Sequence, residues 1–331
     1  MSVWNINDLI CTIGGGTGMP IVNRALVKAG YKNISSVVTT FDSGGDTGRM
    51  RTDEKGKILA CSDYWRSLMS LWEDGKQKNI WEEVLRFRDD RGRNFGNMFF
   101  QFMSEITNNL SEVDTLFEKL TKTKLKGKVI PVTLEPAELC FKTESGKNYC
   151  GEHNLDELRM SYDKIEKIWL SKKVEANPEV IKAIDKSTII IICPGSMYGS
   201  VITNFLPIGV KTALEKSKAT KILITNIMSV ANENRFFSQE EYCRKINRYV
   251  KINFDLILMA NLKILNKLKL SKVIKSYKLE HSLPIKYKTK GKTPVVVEDL
   301  ATIDEKNLRI RHSEEKLANF FARMEACPKR K

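Results

Sequence analysis

The sequence predicts an α/β protein: a Rossmann-like, doubly wound, mostly parallel sheet with a small antiparallel addition. Three observations predict it. Short apolar, β-branched runs alternate with segments of helical period, the pattern of βαβ units. Several of those runs empty into glycine-bearing loops, at Gly14–Gly18, Ser43–Gly48 and Cys193–Ser196. From Lys128 the apolar period changes to two, the mark of antiparallel strands. At 331 residues the chain reads as one domain, 1–331, with the antiparallel addition at about 119–175.

The elements follow in order. Asp8–Ile13 is a short buried strand. It runs into Gly14-Gly15-Gly16-Thr17-Gly18 and then a helix that Pro20 opens and Gly30 ends. Ile34–Phe41 is the second strand, leading through Asp42 into Ser43-Gly44-Gly45-Asp46-Thr47-Gly48. Tyr64–Leu71 and Trp81–Phe87 are helical. Asn94–Asn108 is an amphipathic helix whose stripe of Phe95, Met98, Phe99, Phe102, Met103 and Ile106 should face the core. Val129–Leu134, Glu138–Phe141 and a strand near Tyr149 make the antiparallel addition. Glu179–Ile184 is a short helix. Thr188–Ile192, almost wholly apolar and β-branched, is a central strand buried on both faces. A helix at Leu206–Lys216 and strands at Lys221–Thr225, Phe254–Met259 and Pro294–Val297 complete the alternation. Ser313 caps a last helix, Glu314–Met324.

Composition excludes several classes. The chain is 42% apolar and 29% charged, too apolar for a mainly disordered protein. No apolar run reaches the ~20 residues of a membrane span, and the N-terminus lacks a signal-peptide pattern. The net charge of +15 comes from lysines spread along the chain without interleaved aromatics, so no nucleic-acid partner is expected. Seven cysteines, with no CxxC pair, argue against a disulfide framework and a structural zinc site, and for a cytoplasmic location.

In a doubly wound sheet, ligands sit outside the carboxyl ends of the strands. The candidate residues therefore gather on one edge. Gly14, Gly15, Gly16, Thr17 and Gly18 form a strand–loop–helix junction whose backbone amides suit a phosphate. The run matches neither GxGxxG, since Met19 stands at the third glycine, nor a P-loop, since Lys-Ser/Thr is missing. A tight turn is the competing reading. Asp42 ends the second strand where an acid meets ribose hydroxyls or a phosphate-bound metal. Gly44, Gly45, Asp46, Gly48, Arg49 and Arg51 follow it, and turn chemistry is again the alternative for the acids. Pro194, Gly195 and Ser196 follow the central strand and could cap a helix toward the same anion. The histidines, His153, His281 and His312, have no metal spacing and lie away from the strand-end loops, so no His-based triad is expected.

Taken together, these loops resemble the YvcK or gluconeogenesis factor family, in the superfamily that also holds the CofD-type 2-phospho-L-lactate transferases. The similarity rests on IGGGTG (13–18), VTTFDSGGDTGRMR (38–51), SDYWRSL (62–68), FGNMF (95–99), VIPVTLEPAEL (129–139), CPGSMYGSVITNFL (193–206), TNIMSVANEN (225–234) and RHSEEKLA (311–318). The chain departs from that pattern at Ser43, which replaces a second acid, at Cys193, which replaces a glycine, and within Met228–Asn234. The resemblance implies a cytoplasmic Rossmann-like protein binding a nucleotide or nucleotide sugar. In the YvcK branch this is UDP-N-acetylglucosamine, with links to carbon metabolism, cell shape and wall synthesis. The CofD branch transfers a phospholactyl group from a guanosine diphosphate carrier to a deazaflavin alcohol with magnesium. It adds Asn97, Asn226 and Glu233 to the candidate ligand-binding set, makes Asp42 the candidate Mg²⁺ ligand, and admits a homodimer. Asp46 and Glu233 are the only proton-transfer groups expected. As exposed carboxylates near ~4 they would make poor bases, so slow or absent turnover is expected.

Overall fold

The computed structural model describes residues 4–288 and 293–326; Cys327 of the cysteine count lies outside them. The strands, in chain order, are β1 (Ile10–Gly14), β2 (Ile34–Val38), β3 (Gly127–Pro131), β4 (Leu139–Thr143), β5 (Asn148–Cys150), β6 (Ile165–Leu170), β7 (Ile189–Ile192), β8 (Thr220–Ile224), β9 (Leu256–Ala260), β10 (Val295–Glu298), β11 (Ala301–Asp304) and β12 (Arg309–His312). Seven of them form one sheet in the order β10-β9-β8-β7-β1-β2-β3. Every neighbouring pair in it is parallel. The isoleucines of β7 are buried, as a strand covered on both faces requires.

The sheet reverses direction between β1 and β7. From β1 the chain builds outward through β2 to β3; from β7 it builds the other way through β8 and β9 to β10. Ile13 and Ile192 are register partners across this junction, so the loops after β1 and β7 emerge side by side. They touch. A Cβ added at Gly18 would lie 2.1 Å from the Pro194 carbonyl oxygen. The switch point is therefore closed by two glycine loops packed backbone to backbone.

Helices cover both faces. On one, α1 (Gly18–Lys28), α3 (Ser62–Ser70) and α5 (Phe95–Thr107) pack with the last helix, Glu314–Ala326; α2 (Gly45–Asp53) and α4 (Lys76–Arg86) lie between them in the chain. On the other, Pro178–Lys186, Val210–Lys216 and Gln239–Ile246 share a core with the antiparallel sheet β5-β4-β6. A smaller cluster joins Lys267–Leu279 to the β11–β12 hairpin.

The structure corrects several expectations. β3 is a parallel edge strand of the main sheet, paired to β2, and not part of the antiparallel addition, which instead gains β6. The stripe on α5 is turned. Met103 is buried and Phe95 and Phe99 pack against the core as expected, whereas Met98, Phe102 and Ile106 are exposed and Gly96, Asn97 and Phe100 are buried instead. Gly96 lets the helix close on α4, since its added Cβ would lie 2.7 Å from the Leu85 carbonyl, and this contact turns part of the stripe outward. The helix expected from Leu206 begins at Val210, because a π turn and a 3₁₀ turn occupy Met197–Phe205. Cys140 and Cys150 form a disulfide, against the reading of no bridge. They are direct register partners on β4 and β5, with Cα atoms 4.0 Å apart, a cross-strand geometry that a CxxC search does not detect. Among the described residues no helix is long and apolar enough to cross a membrane.

Candidate functional site at the switch point

The loop after β1 is held open by an acid from α3. Gly16, at φ 63°, donates its amide to Asp63 Oδ2 at 2.8 Å. A Cβ at Gly15 would meet that same oxygen, and Thr39 Cγ2, at 2.6 Å. Packing alone thus demands glycine here, whatever the loop binds. The Thr17 amide, at the mouth of α1, and the Ser196 amide have no hydrogen-bond partner within the described protein. Both amides are available to an anion.

The loop after β7 is locked by the two residues drawn from the β8 side. Asn226 accepts from the Gly195 amide at 2.9 Å and donates to the Gly195 carbonyl at 2.7 Å. Glu233 accepts from Ser196 Oγ at 2.6 Å and from the Met197 amide at 2.8 Å, and Ser196 Oγ in turn caps Gly199. Burial pushes the Glu233 carboxyl up to about 7, although those hydrogen bonds act to lower it. The premise of an exposed, low-pKa Glu233 is overturned: it is 5% exposed.

The loop after β2 divides its residues. Asp42 accepts from the Gly44 amide at 2.8 Å and from Ser62 Oγ at 2.5 Å, and it is not among the residues lining the switch-point cleft. Asp63 is buried beside it, and burial, then the Asp42 charge, raises its carboxyl to about 6. Glu152, on the arm after β5, approaches the same place: a Cβ at Gly199 would lie 2.6 Å from its Oε1. Burial, then Asp42, holds Glu152 well above the usual carboxylate range. Asp46 turns the other way. Its Oδ2 accepts from the Asn94 amide and from Asn97 Nδ2, and Asn97 Oδ1 accepts from Trp65. Asp46 and Asn97 thus tie α2 to α5. Arg49 is exposed and donates to the carbonyls of Arg91 and Gly92. Arg51 is buried, pinning the Phe41, Asp42 and Ala137 carbonyls and Glu138. Gly45 sits at φ 49° with open space around it, and Gly48 lets α2 close on the Ser43 carbonyl.

The two packed loops form one wall of a cavity of about 280 Å³. Thr17, Gly18, Gly195, Ser196 and Asn226 line it on the sheet side. The opposite wall was not foreseen from sequence: Tyr277, Glu280, Arg309, Arg311 and His312, with Arg159 at the rim. Arg309 lies over the Tyr277 ring at 5.2 Å, and both Arg309 and Arg159 pair with Glu280. His312 is buried, its Nε2 has no partner, and burial pushes the imidazole down to about 4. Histidines do reach the strand-end edge, contrary to expectation, since His153 Nδ1 also lies 3.1 Å from Ser43 Oγ. The RHSEEKLA segment was the one signal for this wall, and nothing in its spacing tells which residue points inward.

The donor set for a magnesium ion is partial. Among the described residues no three His, Cys, Asp or Glu side chains converge to hold a metal. Asp42 keeps free lone pairs beside the raised carboxyls of Asp63 and Glu152. That environment fits a cation shared with ligand phosphates and does not fit a protein-only cage.

A parallel sheet with two glycine loops and an arginine-bearing cleft at its switch point defines the class: a doubly wound α/β protein. The chain belongs to the CofD family, whose model, described as 2-phospho-L-lactate transferase CofD, matches residues 10–314. Among relatives, the Gluconeogenesis factor of Listeria monocytogenes is 30% identical, over 74% of each chain. That of Bacillus subtilis is 27% identical, over 94% of this chain and 96% of its own. A solved UPF0052 family protein from Bacillus halodurans shares the fold, with a TM-score of 0.83 and 24% identity, covering 95% of this chain and 99% of that one. Membership places the chain with the YvcK-type proteins linked to carbon metabolism.

Proposed function

We propose that the cleft at the switch point binds a nucleotide sugar resembling UDP-N-acetylglucosamine, and that the protein acts in the cytoplasm as a regulator linking carbon metabolism to cell shape and wall synthesis. One observation carries the reading: the partnerless Thr17 and Ser196 amides face a cleft whose far wall brings Arg309, Arg311 and an aromatic ring. The amides and arginines suit a diphosphate, and Tyr277 and the neutral His312 suit a base and its ribose. Asn226 and Glu233 act by holding the Gly195–Met197 backbone in place. Asp42 would hold Mg²⁺ against the ligand phosphates, and the metal would there neutralise phosphate charge.

A second reading, a CofD-type transferase, gains from Asp63. Its carboxyl, raised to about 6 by burial and then by the Asp42 charge, is held beside the Gly16 loop, where it accepts from the Gly16 amide.

The experiment is a thermal-shift screen with UDP-sugars, GDP derivatives and NAD, each with and without magnesium, followed by mass spectrometry of the incubated mixtures. The binding reading expects a UDP-sugar to raise Tm most, with the ligand recovered unchanged. Multiple turnovers with a GDP-lactyl donor and a deazaflavin acceptor would promote the transferase. No shift with any UDP-sugar would sink the first reading.

A further inference from the structure

Thr17 lines two cavities, and the second lies outside the nucleotide cleft. It measures about 300 Å³ and opens on the other side of the glycine loop. Pro20, Trp65 and Met69 give it apolar walls, and four arginines, Arg24, Arg66, Arg86 and Arg88, converge on it from α1, α3, α4 and the segment after α4. Glu82 is the one acid among the lining residues. Arg66 lies over the Trp65 ring at 5.5 Å.

The guanidiniums are only partly used. Arg24 spends Nε on Glu314 at 2.7 Å, Arg66 spends Nη1 on Asp63 at 3.4 Å, and Arg86 spends Nη2 on Glu82 at 3.1 Å. Arg88 donates Nη1 to the Gly92 carbonyl at 2.8 Å and has no carboxylate partner among the described residues. Each guanidinium carries five N–H donors, so most remain available. Gathering these like charges around one concavity costs Coulomb energy that an anion would offset. An arginine fork on an aromatic wall is the arrangement that reads a planar carboxylate or a phosphate.

We infer that this arginine pocket is a second anion subsite, which takes a carboxylate or phosphate group held next to the ligand's diphosphate across Thr17. The inference rests on the nucleotide reading only for which molecule supplies that group. An acidic sugar attached to the nucleotide and a separate acidic co-ligand present the same chemistry, and two arms of one experiment distinguish them.

In the first arm, calorimetry compares UDP-glucuronate with UDP-glucose, which differ only at C6 of the sugar, a carboxylate against a hydroxymethyl group. In the second, citrate is titrated into the protein without nucleotide. Both arms are repeated on the Arg86→Gln/Arg88→Gln double variant, whose changed side chains are solvent-accessible and lie outside the nucleotide cleft. The expected result is at least a tenfold preference for UDP-glucuronate, or citrate binding below about 1 mM, with a loss of tenfold or more in the double variant while UDP-glucose affinity is unchanged. The first outcome assigns the group to the nucleotide's sugar and the second to a co-ligand. If UDP-glucose fails to bind, the nucleotide reading fails and the citrate arm alone decides. The subsite is overturned when neither arm shows the anion effect, or when the effect survives intact in the double variant.

Discussion

Replacing Glu233 by Gln should make the protein more stable than the wild type at alkaline pH and not at acid pH. The unfolded carboxyl ionises near 4.5 and the folded one near about 7, because burial penalises the charge. Between those values the unfolded state holds fewer protons than the folded state, so stability falls as pH rises through the window. A rise from 4.5 to about 7 is worth about 3 kcal/mol once both states are ionised. Gln keeps an acceptor for the Met197 amide and offers a donor to Ser196 Oγ, which can accept it, so the loop stays clamped. Urea unfolding of both proteins at about pH 4.5 and about pH 8 measures the difference. The variant should gain about 3 kcal/mol on the wild type between the two conditions. A gap that does not change with pH would show that burial does not raise the Glu233 carboxyl, and that reading of the site would fall.

Three further outcomes follow from the same geometry. Gly18→Ala should destabilise by about 2 kcal/mol or more, because its Cβ would meet the Pro194 carbonyl at 2.1 Å; Gly45→Ala, with open space around it, should cost about 1 kcal/mol, and urea midpoints compare the two. His312 should stay neutral down to a midpoint of about 4, far below a free imidazole, and NMR titration of its ring protons reads this directly; a midpoint near 6.5 would mean that water reaches the far wall. Cys140→Ser should lower stability under oxidising conditions by about 2–3 kcal/mol and abolish any response to dithiothreitol, and a wild-type protein equally stable in both conditions would show that the bridge does not matter to the fold.

Much of the fold was legible because its signals are local. The isoleucine run of β7 and the glycine loops after β1 and β7 announce a switch point without any tertiary information. β3 misled because a short apolar strand looks alike at a parallel edge and in an antiparallel hairpin. The α5 stripe misled because Gly96 packs against a backbone carbonyl, a contact with no hydrophobic signature.

The site was legible by halves. Residues that follow strands could be placed on one edge, yet their roles could not be assigned: Asp46, Asn97 and Arg51 hold loops together, while Asp42 accepts from Gly44 and Ser62 beside Asp63. Asp63 and Glu152 escaped because a helix start and a hairpin end reach the site only through the tertiary fold. The far wall escaped for the same reason, since β12 returns to the switch point more than a hundred residues after β7. Exposure cannot be read from residue type, which is why the sequence predicts an ordinary carboxylate at Glu233, whereas burial pushes it up to about 7.

The central claim is a place for the ligand, and a crystal structure with UDP-N-acetylglucosamine and magnesium tests it most directly. The account predicts diphosphate density against the Thr17 and Ser196 amides, with the uridine reaching toward Tyr277 and His312. Density in the separate cavity beside Arg49 and His153, or an empty switch-point cleft at saturating ligand, would contradict it.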